Sequence, residues 1–284
     1  MFGNYSCSFT PGAVRSRADF DADGKTDLSV WRPTEGNWYL NRSTAGFTVL
    51  GWGLSGDQLA PGDFDGDSKT DVAIFRPSTG TWWILRSSDG GFSSTAFGSS
   101  GDLPVAGDYD GDTKADIAVF RPSTNTWFIL NSGGGTTIVP FGVAGDLPVS
   151  ADYDADGKTD IAVYRAGQWW INRSTGGVTA TNFGVGTDRA VPADYDGDNK
   201  DDIAVYRPSS GTWYILRSSN GAVDFVPFGL STDIPVPGDY DGDGKDDQAV
   251  YRDGVWYLNR STSGFLAASF GLSSDIAVPA EYIP

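Results

Sequence analysis

The chain has 284 residues, 38 of them glycine, with 13% aromatics and a formal charge of −17. That charge argues against nucleic acid, whose phosphates it would repel, and no run approaches the roughly 18 apolar residues of a membrane-spanning helix. Histidine is absent and cysteine occurs once, as Cys7, which excludes the Ser/His/Asp triad, the Cys/His dyad, an internal disulfide framework and any multi-cysteine zinc site.

Residues 1–18 read as a nonrepetitive tail or linker, "MFGNYSCSFTPGAVRSRA". It lacks the basic-then-apolar order of a secretory signal, so the expectation is a chain that begins after a removed or omitted export segment. Cys7, with no histidine to activate it, reads as a tether or an incidental residue.

From residue 19 onward one unit repeats. Its acid motif occurs as "DFDADGKTD" (19–27), "DFDGDSKTD" (63–71), "DYDGDTKAD" (108–116), "DYDADGKTD" (152–160), "DYDGDNKDD" (194–202) and "DYDGDGKDD" (239–247). The spacings of 44, 45, 44, 42 and 45 residues indicate a propeller or a solenoid. A short strand precedes each motif, as in "LPVAGD" and "IPVPGD", and a second follows it, as in "DIAVFRP" and "DQAVYRD". A third, aromatic strand comes next: "NWYLNRS", "TWWILRS", "TWFILNS", "QWWINRS", "TWYILRS", "VWYLNRS". It is apolar on both alternating faces, which suits a sheet stacked between others. A fourth, looser strand ends in Phe-Gly at Phe97, Phe141, Phe183, Phe228 and Phe270, with Trp52 in the first copy. An aspartate lies five positions on: Asp57, Asp102, Asp146, Asp188, Asp233 and Asp275.

Four-stranded antiparallel units at this period predict an all-β propeller over residues 19–284. The closing "DIAVPAEYIP" repeats the first-strand pattern and stops where an acid motif would begin. The segment before Asp19 has no such pattern. The C-terminal strand, about 275–282, is therefore expected to complete the first blade and close a six-bladed ring. A seven-bladed ring is the alternative, and it would need strands the sequence does not contain.

The acid motif places side-chain oxygens at positions 1, 3, 5 and 9. These are Asp19, Asp21, Asp23 and Asp27; Asp63, Asp65, Asp67 and Asp71; Asp108, Asp110, Asp112 and Asp116; Asp152, Asp154, Asp156 and Asp160; Asp194, Asp196, Asp198 and Asp202; Asp239, Asp241, Asp243 and Asp247. The backbone carbonyls of Lys25, Lys69, Lys114, Lys158, Lys200 and Lys245 at position 7 can complete each set. Hard oxygen donors at this spacing suit Ca²⁺ better than Mg²⁺, up to six ions in all. An EF-hand needs a bidentate Glu at position 12, where this chain has Val30, Ile74, Val119, Val163, Val205 and Val250, and a strand follows rather than a helix. Unneutralised, four carboxylates in nine residues would repel one another; solvated turns and catalytic carboxylate pairs are the competing readings. Ser68, Thr113 and Asn199 stand where the other copies have Gly24, Gly157 and Gly244, in a turn expected to be left-handed and strained without glycine.

Phe-Gly, the Asp-rich loop and the strand after it stand in the order of the FG-GAP/VCBS repeats, which this chain resembles from residue 19 to the end. "Arg-Pro" (Arg32-Pro33, Arg76-Pro77, Arg121-Pro122, Arg207-Pro208) takes the place of that family's Gly-Ala-Pro. The resemblance, to integrin-α-like propellers and bacterial secreted proteins, implies a calcium-binding, secreted or cell-surface adhesion scaffold. Integrin-type propellers have seven blades, so the blade number does not carry over.

Two further columns invite a choice between structure and ligand. The arginines Arg32, Arg76, Arg121, Arg165, Arg207 and Arg252 are expected to pair with the aspartate after Phe-Gly or to stack on an aromatic, rather than to grip a sugar. The tryptophans Trp38, Trp82, Trp127, Trp169, Trp213 and Trp256 are expected in the core between blades. Beside them a second aromatic column, Tyr39, Trp83, Phe128, Trp170, Tyr214 and Tyr257, is expected to vary in exposure. The ring Arg42, Arg86, Arg173, Arg217 and Arg260, with Asn131 in the third copy, is the expected ligand-facing set.

The expected role is a non-catalytic binding or adhesion module for glycans or a protein surface. Calcium loops of extracellular modules fill at roughly 10⁻⁴–10⁻³ M, a level met outside cells. A polysaccharide lyase or hydrolase is the catalytic alternative, which should break the repeat symmetry; the departures are mild (Glu35, Arg189, Asp224). A purely structural spacer is the third reading.

Overall fold

The computed structural model describes residues 18–279; most of the expected tail, with Cys7, and the last part of the expected closing strand, 280–282, lie outside the described residues. The described chain forms six four-stranded antiparallel sheets and no α-helix. Blade 2 shows the pattern. Its inner strand is Gln58–Leu59, its second Val72–Arg76, its third Thr81–Leu85 and its outer Phe92–Ala96. Phe75 lies opposite Trp82, and Trp82 opposite Thr95.

Ring closure is as expected. The inner strand of blade 1 is Ile276–Ala277, paired antiparallel with Leu28–Arg32 through Val30–Ala277 and Trp31–Ile276. The ring has six blades. The inner strands are shorter than the sequence pattern implied, two residues each in all six blades. In three of them Pro104, Pro148 and Pro235 occupy the second position, where they have no N–H to add to the ladder; Gln58–Leu59, Arg189–Ala190 and Ile276–Ala277 are equally short without proline. In blades 2 to 6 pairing resumes further on as single bridges such as Gly107–Asp116, which tie the entrance of the acid loop to its last aspartate.

The six column tryptophans, Trp38 to Trp256, are all 0% exposed. Each indole N–H donates to the carbonyl of the Phe-Gly aromatic, as Trp82 does to Phe97 at 3.0 Å and Trp213 to Phe228 at 2.9 Å. Burying an indole contributes on the order of 4 kcal/mol. Each tryptophan faces the next blade: Trp82 packs in one cluster with Val119, and Trp213 with Val250. The residues at motif position 12 thus fill the space between blades. The second aromatic column is only half-buried, so the third strand is covered unequally on its two faces.

Candidate metal centre

In blades 2 to 6 the acid loop links the inner strand to the second strand; in blade 1, whose inner strand comes from the other end of the chain, loop 19–27 leads into the second strand alone. The loop is anchored by its second residue, an aromatic turned into the core. Tyr195 is 8% exposed, lies edge-on to Trp213 and donates its hydroxyl to the carbonyl of Val191 at 2.9 Å. With that anchor fixed, the aspartates on either side of it are held over the sheet end.

The loop at 194–202 shows what each aspartate does. Asp194 Oδ1 accepts the N–H groups of Gly197 (2.6 Å) and Asp198 (3.3 Å), and Oδ2 accepts that of Asn199 (2.9 Å). Asp202 accepts from the N–H of Tyr195 at 3.0 Å and of Ser218 at 2.7 Å. Asp196 accepts from Ser219 on Oδ2, while its Oδ1 is buried with no partner. The same orphaned oxygen occurs at Asp21, Asp65, Asp154 and Asp241. A buried acceptor left unmade costs about 1–3 kcal/mol, so five loops carry the same unmet demand for a positive partner.

Positions 1, 3 and 9 converge. In Asp19/Asp21/Asp27, Asp63/Asp65/Asp71, Asp108/Asp110/Asp116, Asp152/Asp154/Asp160, Asp194/Asp196/Asp202 and one further group, one oxygen of each carboxylate lies within 4.8 Å of the others. Burial is the leading cause that pushes Asp27, Asp160, Asp202 and Asp247 up to about 7 and Asp71 to about 6, and neighbouring loop carboxylates add to it. Asp19, Asp63, Asp108, Asp116, Asp152 and Asp239 are raised for the same leading reason. All-oxygen donors, orphaned lone pairs and carboxylates resisting ionisation together fit a hard divalent cation.

Position 5 stands outside these groups. Asp198 accepts from the N–H of Lys200 (2.9 Å) and from Ser218 Oγ (2.8 Å); Asp67 and Lys69, and Asp112 and Lys114, repeat the first bond. In loops 1 and 6 two hydroxyls, Ser43 and Thr44 or Ser261 and Thr262, converge on one oxygen of Asp23 or Asp243 and hold these carboxylates below their usual range despite partial burial.

The serine that opens the turn between third and outer strands was missed by sequence reasoning. Ser43, Ser87, Ser132, Ser174, Ser218 and Ser261 each donate their backbone N–H at 2.7 Å to the ninth-position aspartate. The signal was present, since every aromatic strand runs into Arg-Ser or Asn-Ser. This turn forms the second wall of each acid loop.

The left-handed turn is where the spacing put it, with Ser68, Thr113 and Asn199 at φ 69°, 73° and 69°. Ala22 and Ala155, at φ 60° and 62°, add a second strained position that had not been expected.

At the opposite end of the strands the second-strand arginines serve structure. Arg76 makes a two-pronged pair with Asp57, both contacts 2.8 Å, and lies over the Trp83 ring at 5.5 Å. Arg121–Asp102, Arg165–Asp146, Arg207–Asp188 and Arg252–Asp233 repeat it, and Arg32–Asp275 makes it across the junction of the chain ends. The third-strand arginines lie at the acid-loop end. Arg42 and Arg86, with Lys69, line a cleft of about 230 Å³ between blades 1 and 2; Arg173 and Arg217, with Lys200, line one of about 240 Å³ between blades 4 and 5. Arg42 and Arg260 donate to carbonyls of their own turns, Arg86 pairs with Asp89 and Arg217 with Asp224, whereas Arg173 Nε is buried without a partner.

A family model described as an FG-GAP-like repeat matches residues 19–74, 63–119 and 108–163. No curated protein matches the chain in sequence. Among solved structures, an Agrocybe aegerita lectin that recognises non-reducing terminal N-acetylglucosamine is 16% identical, with a TM-score of 0.56 over 88% of this chain and 77% of that one. A streptogramin B lyase is 11% identical, with a TM-score of 0.51 over 80% and 70%. At these identities the likeness is one of fold.

Proposed function

This chain belongs to the FG-GAP-like repeat family, and from that premise we propose that it is a calcium-stabilised, non-catalytic binding module that works outside the cell. The observation that carries the reading is the fivefold recurrence of a buried, unpartnered third-position oxygen beside the converging first- and ninth-position carboxylates. Positions 1, 3 and 9 would hold the ion, with position 5 and the facing serine arranging them. Bound Ca²⁺ supplies the charge that lets the carboxylates stay ionised together. Six ions would bring the formal charge from −17 to −5.

Binding is assigned to the clefts between blades, where Arg42 and Arg86, and Arg173 and Arg217, stand in pairs over apolar walls. A glycan is the first ligand class to try, because repeated shallow sites gain from avidity on a repetitive polymer. The test is a glycan array probed with the calcium-loaded chain and with an Arg173→Ala/Arg217→Ala variant. Retention of specific glycans by the first and their loss by the second is the expected result. Equal retention by both would remove these arginines from the account. Hydrolysis or eliminative cleavage of any retained polysaccharide would overturn the non-catalytic reading.

A further inference from the structure

The six acid loops touch one another. The backbone N–H at position 8 of each loop donates to the backbone carbonyl of position 1 in the loop before it: Thr70 to Asp19 (2.7 Å), Ala115 to Asp63 (2.6 Å), Thr159 to Asp108 (2.6 Å), Asp201 to Asp152 (2.8 Å) and Asp246 to Asp194 (2.7 Å). Thr26 closes the circle by donating to Asp239 at 2.6 Å, across the junction of the chain ends. Around the far side, the lysine of one loop lies over the position-4 glycine of the loop before it, so that a Cβ on Gly66, Gly111, Gly197 or Gly242 would meet Lys114, Lys158, Lys245 or Lys25 at 2.8–3.2 Å.

Each bond has a proposed metal ligand at both ends. The acceptor carbonyl belongs to the first-position aspartate itself, and the donor N–H immediately precedes the ninth-position aspartate of the next loop. Pulling Asp152 onto an ion therefore fixes the carbonyl to which Asp201 is tied, and with it the backbone that carries Asp202. In two junctions the tie is made twice: Asp201 Oδ2 also accepts the N–H of Asp152 at 2.9 Å, and Asp246 Oδ2 that of Asp194 at 3.0 Å. Nearest-neighbour coupling of this kind makes a repeat array behave as a one-dimensional cooperative chain, and here the chain is closed on itself.

We infer that the acid loops form a hydrogen-bonded ring through which each bound cation promotes occupancy of the adjoining loops, most strongly along loops 4, 5 and 6. The inference rests on the calcium reading of the loops. Coupling is reciprocal between sites, so emptying one loop weakens both of its neighbours. It also makes the first and last repeats neighbours, although they lie at opposite ends of the sequence.

The experiment is a calorimetric calcium titration of the full chain, beside the same titration of an Asp154→Asn variant. Asn can turn its NH₂ toward Asp152 and Asp160, so the variant keeps a folded loop while losing one of the carboxylate charges that hold the ion. The wild type is expected to bind with a Hill coefficient clearly above unity. The variant is expected to lose more than one ion's worth of tight binding, with a severalfold weaker affinity for those that remain. A second measurement needs no variant: hydrogen exchange at the six position-8 amides should slow together over one calcium transition, with Asp201 and Asp246 the most strongly protected. Non-cooperative wild-type binding, with one ion lost and the rest unchanged in the variant, would overturn the coupling and leave the calcium sites standing. No calcium bound by the wild type would overturn both.

Discussion

At the third position of an acid loop, one substitution separates a metal site from a solvated turn. Asp196→Asn places an amide donor beside Asp194 and Asp202, where the aspartate has an orphaned acceptor. In chelator the variant should be more stable than wild type by about 1 kcal/mol; in calcium it should be less stable, and urea titrations under the two conditions read the reversal of sign. The same change in both conditions would mean that no ion sits there. Titration gives a second handle. Asp27, Asp160, Asp202 and Asp247 are pushed to about 7 in the folded chain, against about 3.9 unfolded. The metal-free fold then binds more protons than the unfolded chain, so their contribution is full below about pH 4 and is lost as pH rises through 7. Calcium competes with those protons, and the gain in melting temperature on adding calcium should grow between pH 5 and pH 8; a constant gain would contradict it. Backbone strain is also testable: Thr113, at φ 73°, carries a left-handed turn that costs a branched residue about 1–2 kcal/mol. Thr113→Gly should recover about 0.5–1 kcal/mol after the entropic cost of glycine, visible as a raised melting temperature.

Among the elements, the strands and loops were legible because they recur six times, and a period of two inside a period of about 44 leaves little choice of architecture. What was not legible has physical causes. Inner strands are two residues long with proline in blades 3, 4 and 6 and without it in blades 1, 2 and 5, so no residue within the strand announces the length. The aspartate at position 5 left the converging set because a serine from a hairpin 20 residues away engages it, as Ser218 does Asp198, and linear spacing says nothing about that hairpin's position. The tie that recurs in all six junctions between loops is backbone to backbone, so no side-chain pattern announces it; only the added ties of Asp201 and Asp246 involve a side chain that the sequence varies. The arginine clasp was half legible: pairing and stacking were weighed as alternatives, and the geometry makes both at once. Its most exposed test is the closing blade, where Arg32 is 16% exposed and the Asp275 side chain 0%. Arg32→Ala should cost about 3 kcal/mol, because it leaves a buried carboxylate unpaired. Denaturant unfolding that shows a loss below about 1 kcal/mol would mean that the two-residue strand closes the ring unaided.

Taken whole, the molecule is electrically lopsided. With Asp201 and Asp246 the acid loops hold 26 aspartates against six lysines, a formal −20, while the remainder of the chain carries +3. All of the net charge is therefore gathered where the loops lie, and the arginine clasps at the opposite end of the strands are neutral pairs. Like charge gathered in one ring opposes the compact state, and cations bound there would relieve it. Each site filled at ten times its Kd adds about 1.4 kcal/mol, and six together about 8 kcal/mol, comparable with the whole stability of a typical domain. The most direct measurement is a thermal melt in excess calcium and in chelator, with bound metal counted on the same sample. A large rise in melting temperature with close to six ions per chain is the predicted result. A melting temperature that ignores calcium, with little metal bound, would contradict the account at its centre.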